Sequence, residues 1–186
     1  MNTALSQRDL SCLVVIDMQE KLAAAMATDA MQAVTRNCSL LIQAAALLEI
    51  PVIYTEQYPK GLGPTLPELA ELLSGKPRIE KTAFSCSDEP AFCRHLTKDK
   101  PQIILAGMEA HICILQTALG LKQQDTARQI FIAEDAVISR NSSARMNAME
   151  RLRQAGVIVS NSESIVFEWL GKAEGEVFKQ ISRLLR

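Results

Sequence analysis

Apolar positions along this chain follow two periods in turn, and most of the elements can be read from where one gives way to the other. CLVVI at 12–16 is a continuous apolar run closed by Asp17, the pattern of a central parallel strand covered on both faces. The Ala- and Met-rich stretch 18–30 reads as a loop with short helical turns. From Met31 to Leu48, apolar residues recur at helical spacing (Val34, Cys38, Leu41, Ile42, Ala45), which predicts one long helix stopped by Pro51. VIYT at 52–55 predicts a second strand, and Pro67 opens a short helix to Leu73 that Gly75 closes. RIEK at 78–81 suits a strand near the sheet edge, residues 82–89 a loop, and Pro90 to Leu96 a helix. Ile103 to Ala106 predicts a buried strand that breaks at Gly107, with a helix re-forming near His111. IFIA at 130–133 is a fifth strand, and Ser142 or Ser143 a cap for a helix through Gln154 that ends at Gly156. Val157 to Val159 is a sixth strand, and Ser162 to Leu170 and Glu174 to Leu185 are terminal helices.

Strands alternating with helices imply an α/β fold with a mainly parallel sheet and right-handed crossovers. No repeat, low-complexity stretch or linker divides the chain, so residues 1–186 are expected to form one domain. Ligands of such sheets bind beyond the carboxyl ends of the strands, where the strand order reverses. Asp17, Lys81 and Gly107 all lie at or just past predicted strand ends, so periodicity alone brings Asp17, Lys81 and Cys113 toward one sheet edge. EQYPKGLGPTLP at 56–67, with its prolines and glycines, is too irregular for a regular element and is a candidate binding loop.

Composition narrows the function. Basic and acidic side chains number 20 and 21, for a net charge of −1, and no block of like charge is present. A nucleic-acid partner is therefore not expected. No apolar run approaches the roughly 18 residues of a membrane span, so no membrane partner is expected either. The N-terminus lacks the features of a secretory signal, and the five cysteines form no CxxC pair. A reducing, cytoplasmic setting is the expectation.

Cys113 is placed by this reading in the first turn of a helix, where free N–H groups favour an anion and a thiol should have a lowered pKa. A thiol nucleophile also needs a proton acceptor and donors for the oxyanion it creates. Asp17 is the candidate acceptor, Lys81 the cation that stabilises carboxylate and thiolate, and the Gly107–Cys113 turn the source of backbone N–H groups. Read without function, Asp17 is a cap, Lys81 a surface charge and Cys113 a small buried apolar residue. His111 is two residues from Cys113 and faces another way on a helix, so it reads as a structural hydrogen bond or pocket wall. Tyr58 and Phe84 are candidate pocket residues.

VVIDMQ at 14–19, KTAFS at 81–85 and GMEAHIC at 107–113 resemble, in order, three signatures of the isochorismatase-like cysteine hydrolases. EQYPKGLGP at 56–64 further resembles the isochorismatase-domain-containing subgroup. The resemblance implies a three-layer, Rossmann-like fold with a six-stranded parallel sheet of order 3-2-1-4-5-6 and helices on both faces. It implies Asp17, Lys81 and Cys113 as catalytic triad, a cis peptide at Met108–Glu109, and an oxyanion hole from the N–H groups of Glu109 and Cys113. Gln19 would hold the site by hydrogen bonding. The nicotinamidase branch carries an Asp-x-His metal motif after the second strand, where this chain has Glu56-Gln57-Tyr58; Gln57 joins the pocket candidates. His95 and His111, the two histidines, lack ligand spacing, so no metal and no cofactor are expected. The implied activity is hydrolysis of a small amide or related C–N bond through a thioester, in a homo-oligomer. A non-catalytic assembly protein and a thiol redox protein are the alternatives.

Overall fold

The computed structural model describes residues 5–185. At its centre lies β1 (Ser11–Ile16), buried at every position, as its uninterrupted apolar run requires. Its side chains alternate between two cores. Leu13 and Val15 join one apolar cluster, and Cys12, Val14 and Ile16 join another on the opposite face. β4 (Gln102–Met108) lies beside β1 and alternates in step, so that Leu13 pairs with Ile104 and Ile16 with Gly107.

The other strands are β2 (Val52–Gln57), β3 (Arg78–Lys81), β5 (Gln129–Ile138) and β6 (Ile158–Ser160). All pairings are parallel and the order is β3-β2-β1-β4-β5-β6. The chain steps outward from β1 to β3, then crosses to β4 and steps outward the other way. Right-handed crossovers in opposite directions put their helices on opposite faces. Hence α1 (Glu20–Ala23) precedes α2 (Thr28–Leu47) on the first face, where α3 (Pro59–Leu62) is followed by α4 (Pro67–Leu72). Leu41, Ala45 and Leu69 bury there against Leu13 and Ile104. On the second face, α5 (Pro90–Cys93), α6 (Leu115–Gln124) and α7 (Ser142–Gln154) bring Phe92, Ala118, Leu121 and Leu152 against Val14 and Leu105. α8 (Ser162–Leu170) and α9 (Gly175–Leu184) return to the first face through Ile165, Trp169 and Ile181.

Three local expectations are corrected. β4 does not break at Gly107 but runs on to Met108. Gly107 has φ +118, and a Cβ there would lie 2.0 Å from the carbonyl oxygen of Ile16, so the glycine permits the close approach of β4 to β1. The helix over 142–154 is capped by Asn141, whose side chain accepts from the Ser143 N–H, and not by a serine. The 56–67 segment is partly regular: Glu56 and Gln57 end β2, and α3 follows directly.

β5 is far longer than IFIA. Leu105 pairs with Ile132 but Gly107 with Val137, so a bulge loops out between them. Asp135 within it accepts from Ser162 N at 2.7 Å and Ser162 Oγ at 2.6 Å. After the bulge the strand carries Ser139 and Arg140 to the carboxyl edge of the sheet. Among the described residues no helix is long and apolar enough to cross a membrane.

Candidate active site

Beyond the carboxyl ends of β1, β3 and β4, at the switch point, three side chains meet. Asp17 leaves β1 with φ 51, a left-handed conformation uncommon for a non-glycine residue, and its side chain is fully buried. Its Oδ2 accepts from Lys81 Nζ at 2.8 Å and its Oδ1 from Thr55 Oγ1 at 2.7 Å. Thr55 pairs with Ile16 in the sheet, so its hydroxyl stands beside the strand end from which Asp17 departs.

Lys81, the last residue of β3, is as buried as Asp17. Its ammonium also donates to Gln57 Oε1 (2.6 Å), Ala83 O (3.2 Å) and Phe84 O (3.3 Å), and lies 3.7 Å from Cys113 Sγ. Burial works against its charge, but the Asp17 carboxylate and the neighbouring Cys86 and Cys113 thiols outweigh it, and its pKa rises above the ordinary lysine value.

Cys113 occupies a π-helical turn, Ala110–Ile114, that joins β4 to α6 after a cis peptide at Met108–Glu109. The expected lowering of its pKa is reversed. Burial raises it most, the Asp17 carboxylate raises it further, and the Lys81 ammonium only partly opposes them. These influences favour the thiol over the thiolate at Cys113, which sits beside the Asp17 carboxyl group and the Lys81 ammonium. A second buried thiol, Cys86, shares this neighbourhood through hydrogen bonds with Thr55 and Thr117. All five cysteines are free.

Around this cluster, buried Gln19 bonds the backbone of Gln57 in both directions, accepting from its N–H (2.7 Å) and donating to its carbonyl (3.0 Å), and donates to Gly63 O (2.7 Å). Glu109, also buried, accepts from Arg140 N at 3.0 Å and from Arg140 Nε at 3.1 and 3.2 Å. His111 Nδ1 pairs with Ser139 Oγ at 2.9 Å.

A cavity of about 440 Å³ opens over Cys113, walled by Leu22, Leu62, Phe84 and Ile112, with Lys21 and Arg140 at its rim. Of the pocket candidates, Gln57 and Phe84 line it. Gln19 does not, because its amide is spent on backbone groups behind the wall. His111 is turned to Ser139. Tyr58, in a left-handed conformation (φ 35), lines a separate hollow of about 290 Å³ with Pro59 and Glu89. Sequence reasoning missed Thr55, Lys21 and Arg140. Thr55 was discoverable as the residue next to Asp17's strand end, and Arg140 as a charge just past the carboxyl end of a strand. Among the described residues no group of three His, Cys, Asp or Glu side chains converges as a metal site.

Residues 11–164 match the isochorismatase domain family. Isochorismatase domain-containing protein 2 of Danio rerio is 41% identical over 177 residues, covering 94% of this chain and 86% of that protein. The structure described as MAR1 ribonuclease of Caenorhabditis elegans superposes with a TM-score of 0.88 at 36% identity, covering 97% of this chain and 92% of that one. The ycaC gene product of Escherichia coli, described as an octameric hydrolase of unknown specificity, shares the fold with a TM-score of 0.89 at 21% identity, over 100% of this chain and 91% of that one. With its matched domain, its sheet order and this switch-point cluster, the chain belongs to the isochorismatase family of hydrolases.

Proposed function

We propose that this protein hydrolyses a small amide or related C–N bond, with Cys113 as nucleophile. The observation that carries this reading is the buried Asp17–Lys81 ion pair beside Cys113, the member of the three that lines the cavity. As Cys113 Sγ forms a bond to the substrate carbonyl carbon, its proton passes to Asp17, and the carbonyl electron pair moves onto oxygen. The N–H groups of Glu109 and Cys113 donate to that oxyanion. When the oxyanion collapses the C–N bond breaks, and Asp17 returns its proton to the departing nitrogen. Water then attacks the thioester, giving a proton to Asp17, and the carboxylic acid departs as the sulfur recovers its proton from Asp17.

Lys81 acts in this scheme as a fixed charge. Its raised pKa keeps it an ammonium through neutral and mildly alkaline pH, so negative charge can pass from Asp17 to sulfur beside a constant cation. A raised Cys113 pKa suits the scheme, because the thiol is deprotonated by Asp17 only as attack proceeds. Balanced charge and a cavity of about 440 Å³ support a small substrate over the polyanion that the worm protein's name implies. A homo-oligomer is part of this proposal, with the exposed Phe167 and Leu184 of the C-terminal helices as contact candidates, and light scattering in solution would register it as a multiple of the 20.5 kDa chain mass.

The test is ammonia release from a panel of small amides, ureides and carbamoyl compounds. At least one should be turned over by the wild type and not by Cys113→Ala. Equal turnover by both proteins overturns the reading.

A further inference from the structure

The cavity over Cys113 has an uneven charge. Its walls are apolar, and three polar lining residues have their hydrogen-bonding capacity directed elsewhere. Gln57 takes Lys81 Nζ on Oε1 and gives Nε2 to Thr82 O at 2.8 Å. Glu109 holds Arg140 through both carboxylate oxygens. Cys113 lines the cavity with its sulfur 3.7 Å from Lys81 Nζ. Donor capacity remains at Lys21 and Arg140. Lys21 Nζ gives one of its protons to Gly61 O at 2.8 Å. Arg140 spends its backbone N–H and Nε on Glu109, while Nη1 and Nη2 carry no hydrogen bond among the described residues.

This arrangement has a direction. The Glu109 carboxylate holds the guanidinium through Nε, at 3.1 and 3.2 Å, which leaves the Nη1–Nη2 edge for a ligand. The free edge presents parallel N–H donors of the kind that match a carboxylate in bidentate fashion. Two cations against one already paired carboxylate leave the rim net positive. A cationic group is disfavoured there, and a neutral one would leave these donors to water.

Resting on the reading of Cys113 as nucleophile, we propose that the cavity takes an anionic amide. Such a molecule has a carboxylate that meets Arg140 and Lys21, a short apolar linker against Leu22, Phe84 and Ile112, and an amide carbonyl over Cys113. Arg140 is then a specificity residue, which binds substrate and takes no part in proton transfer.

Two haloacetyl reagents of similar size, iodoacetate and iodoacetamide, differ in this charge and report on Cys113 without a known substrate. Alkylation of the intact protein is followed by peptide mass spectrometry at Cys113, with glutathione as a free-thiol reference. The iodoacetate-to-iodoacetamide rate ratio at Cys113 should exceed that of glutathione by roughly tenfold, the scale of one charge-assisted contact at a partly solvated site. It should fall in Arg140→Gln and in Lys21→Gln, and should fall with added salt. Lys21 is exposed on α1, so its variant keeps the test readable if Arg140→Gln disturbs the Glu109 turn. A Cys113 that is alkylated with the same ratio as glutathione, or with a ratio that neither variant changes, overturns the anionic-substrate proposal and leaves the nucleophile reading standing. A Cys113 inert to both reagents overturns the two together.

Discussion

Replacing Lys81 with methionine tests the physical core of the site, because it keeps an unbranched chain and removes the charge. In the native protein Asp17 has zero side-chain exposure, and its Oδ2 is held by the ammonium at 2.8 Å. Without that cation the Thr55 hydroxyl and the Cys113 thiol remain as donors, too few for a buried carboxylate. The Asp17 carboxyl then takes up a proton on folding. For a group ionised in the unfolded chain this costs up to about 4 kcal/mol at pH 7, in line with the 3–5 kcal/mol of breaking a buried ion pair. The folded state holds the extra proton, so the cost shrinks by about 1.4 kcal/mol for each pH unit below 7 until the unfolded carboxyl is also protonated. Asp17→Asn should cost less, about 1–2 kcal/mol, because Lys81 keeps three oxygen acceptors in Gln57, Ala83 and Phe84. The double variant Asp17→Asn/Lys81→Met needs no proton uptake and should recover at least about 2 kcal/mol over Lys81→Met alone. Urea unfolding at pH 5 and pH 7, followed by the fluorescence of buried Trp169, measures all three. A Lys81→Met cost independent of pH, or a double variant no better than Lys81→Met, would refute the reasoning.

Other consequences follow from particular contacts. Gly107→Ala drives a methyl to 2.0 Å from Ile16 O in a left-handed backbone, so it should cost roughly 2–5 kcal/mol in thermal or urea unfolding. Gln19→Ala leaves the Gln57 N–H and carbonyl and the Gly63 carbonyl without their partner; about 2–4 kcal/mol of stability and faster proteolysis within 58–66 are expected. Burial pushes the Cys86 thiol up to about 11 and the Cys12 thiol up to about 12, from an ordinary 9.0. Above pH 9 the unfolded chain releases these protons while the folded chain retains them, so stability should fall with rising pH, by about 1.4 kcal/mol per unit for each thiol, and Cys12→Ala should flatten the fall.

The sheet was legible because its central strands are unmixed apolar runs. β1 ends at Ile16, just before Asp17, as its pattern required, β2 runs two residues past the expected Thr55, and β3 sits at the edge as its polar RIEK suggested. Gly107 misled because a glycine after an apolar run reads as a breaker. Here it answers to the backbone of β1, a neighbour distant in sequence. The meeting of Asp17, Lys81 and Cys113 could be anticipated from strand ends alone, whereas the direction of the Cys113 pKa could not. The helix-start argument is local, and burial and the Asp17 carboxylate are supplied by the tertiary structure. Lys21 and Arg140 escaped notice for a related reason. One lies on a single-turn helix after β1 and the other beyond the bulge in β5, and only the packed loops bring both to one rim.

The central claim is that Cys113 carries the acyl group of an amide substrate. With an amide identified by the hydrolase panel, rapid acid quench during turnover and intact-mass analysis should show the protein heavier by that acyl group. The added mass should map to the Cys113 peptide and be absent in Cys113→Ala. Ammonia release by Cys113→Ala at the wild-type rate, with no adduct on either protein, would contradict the account.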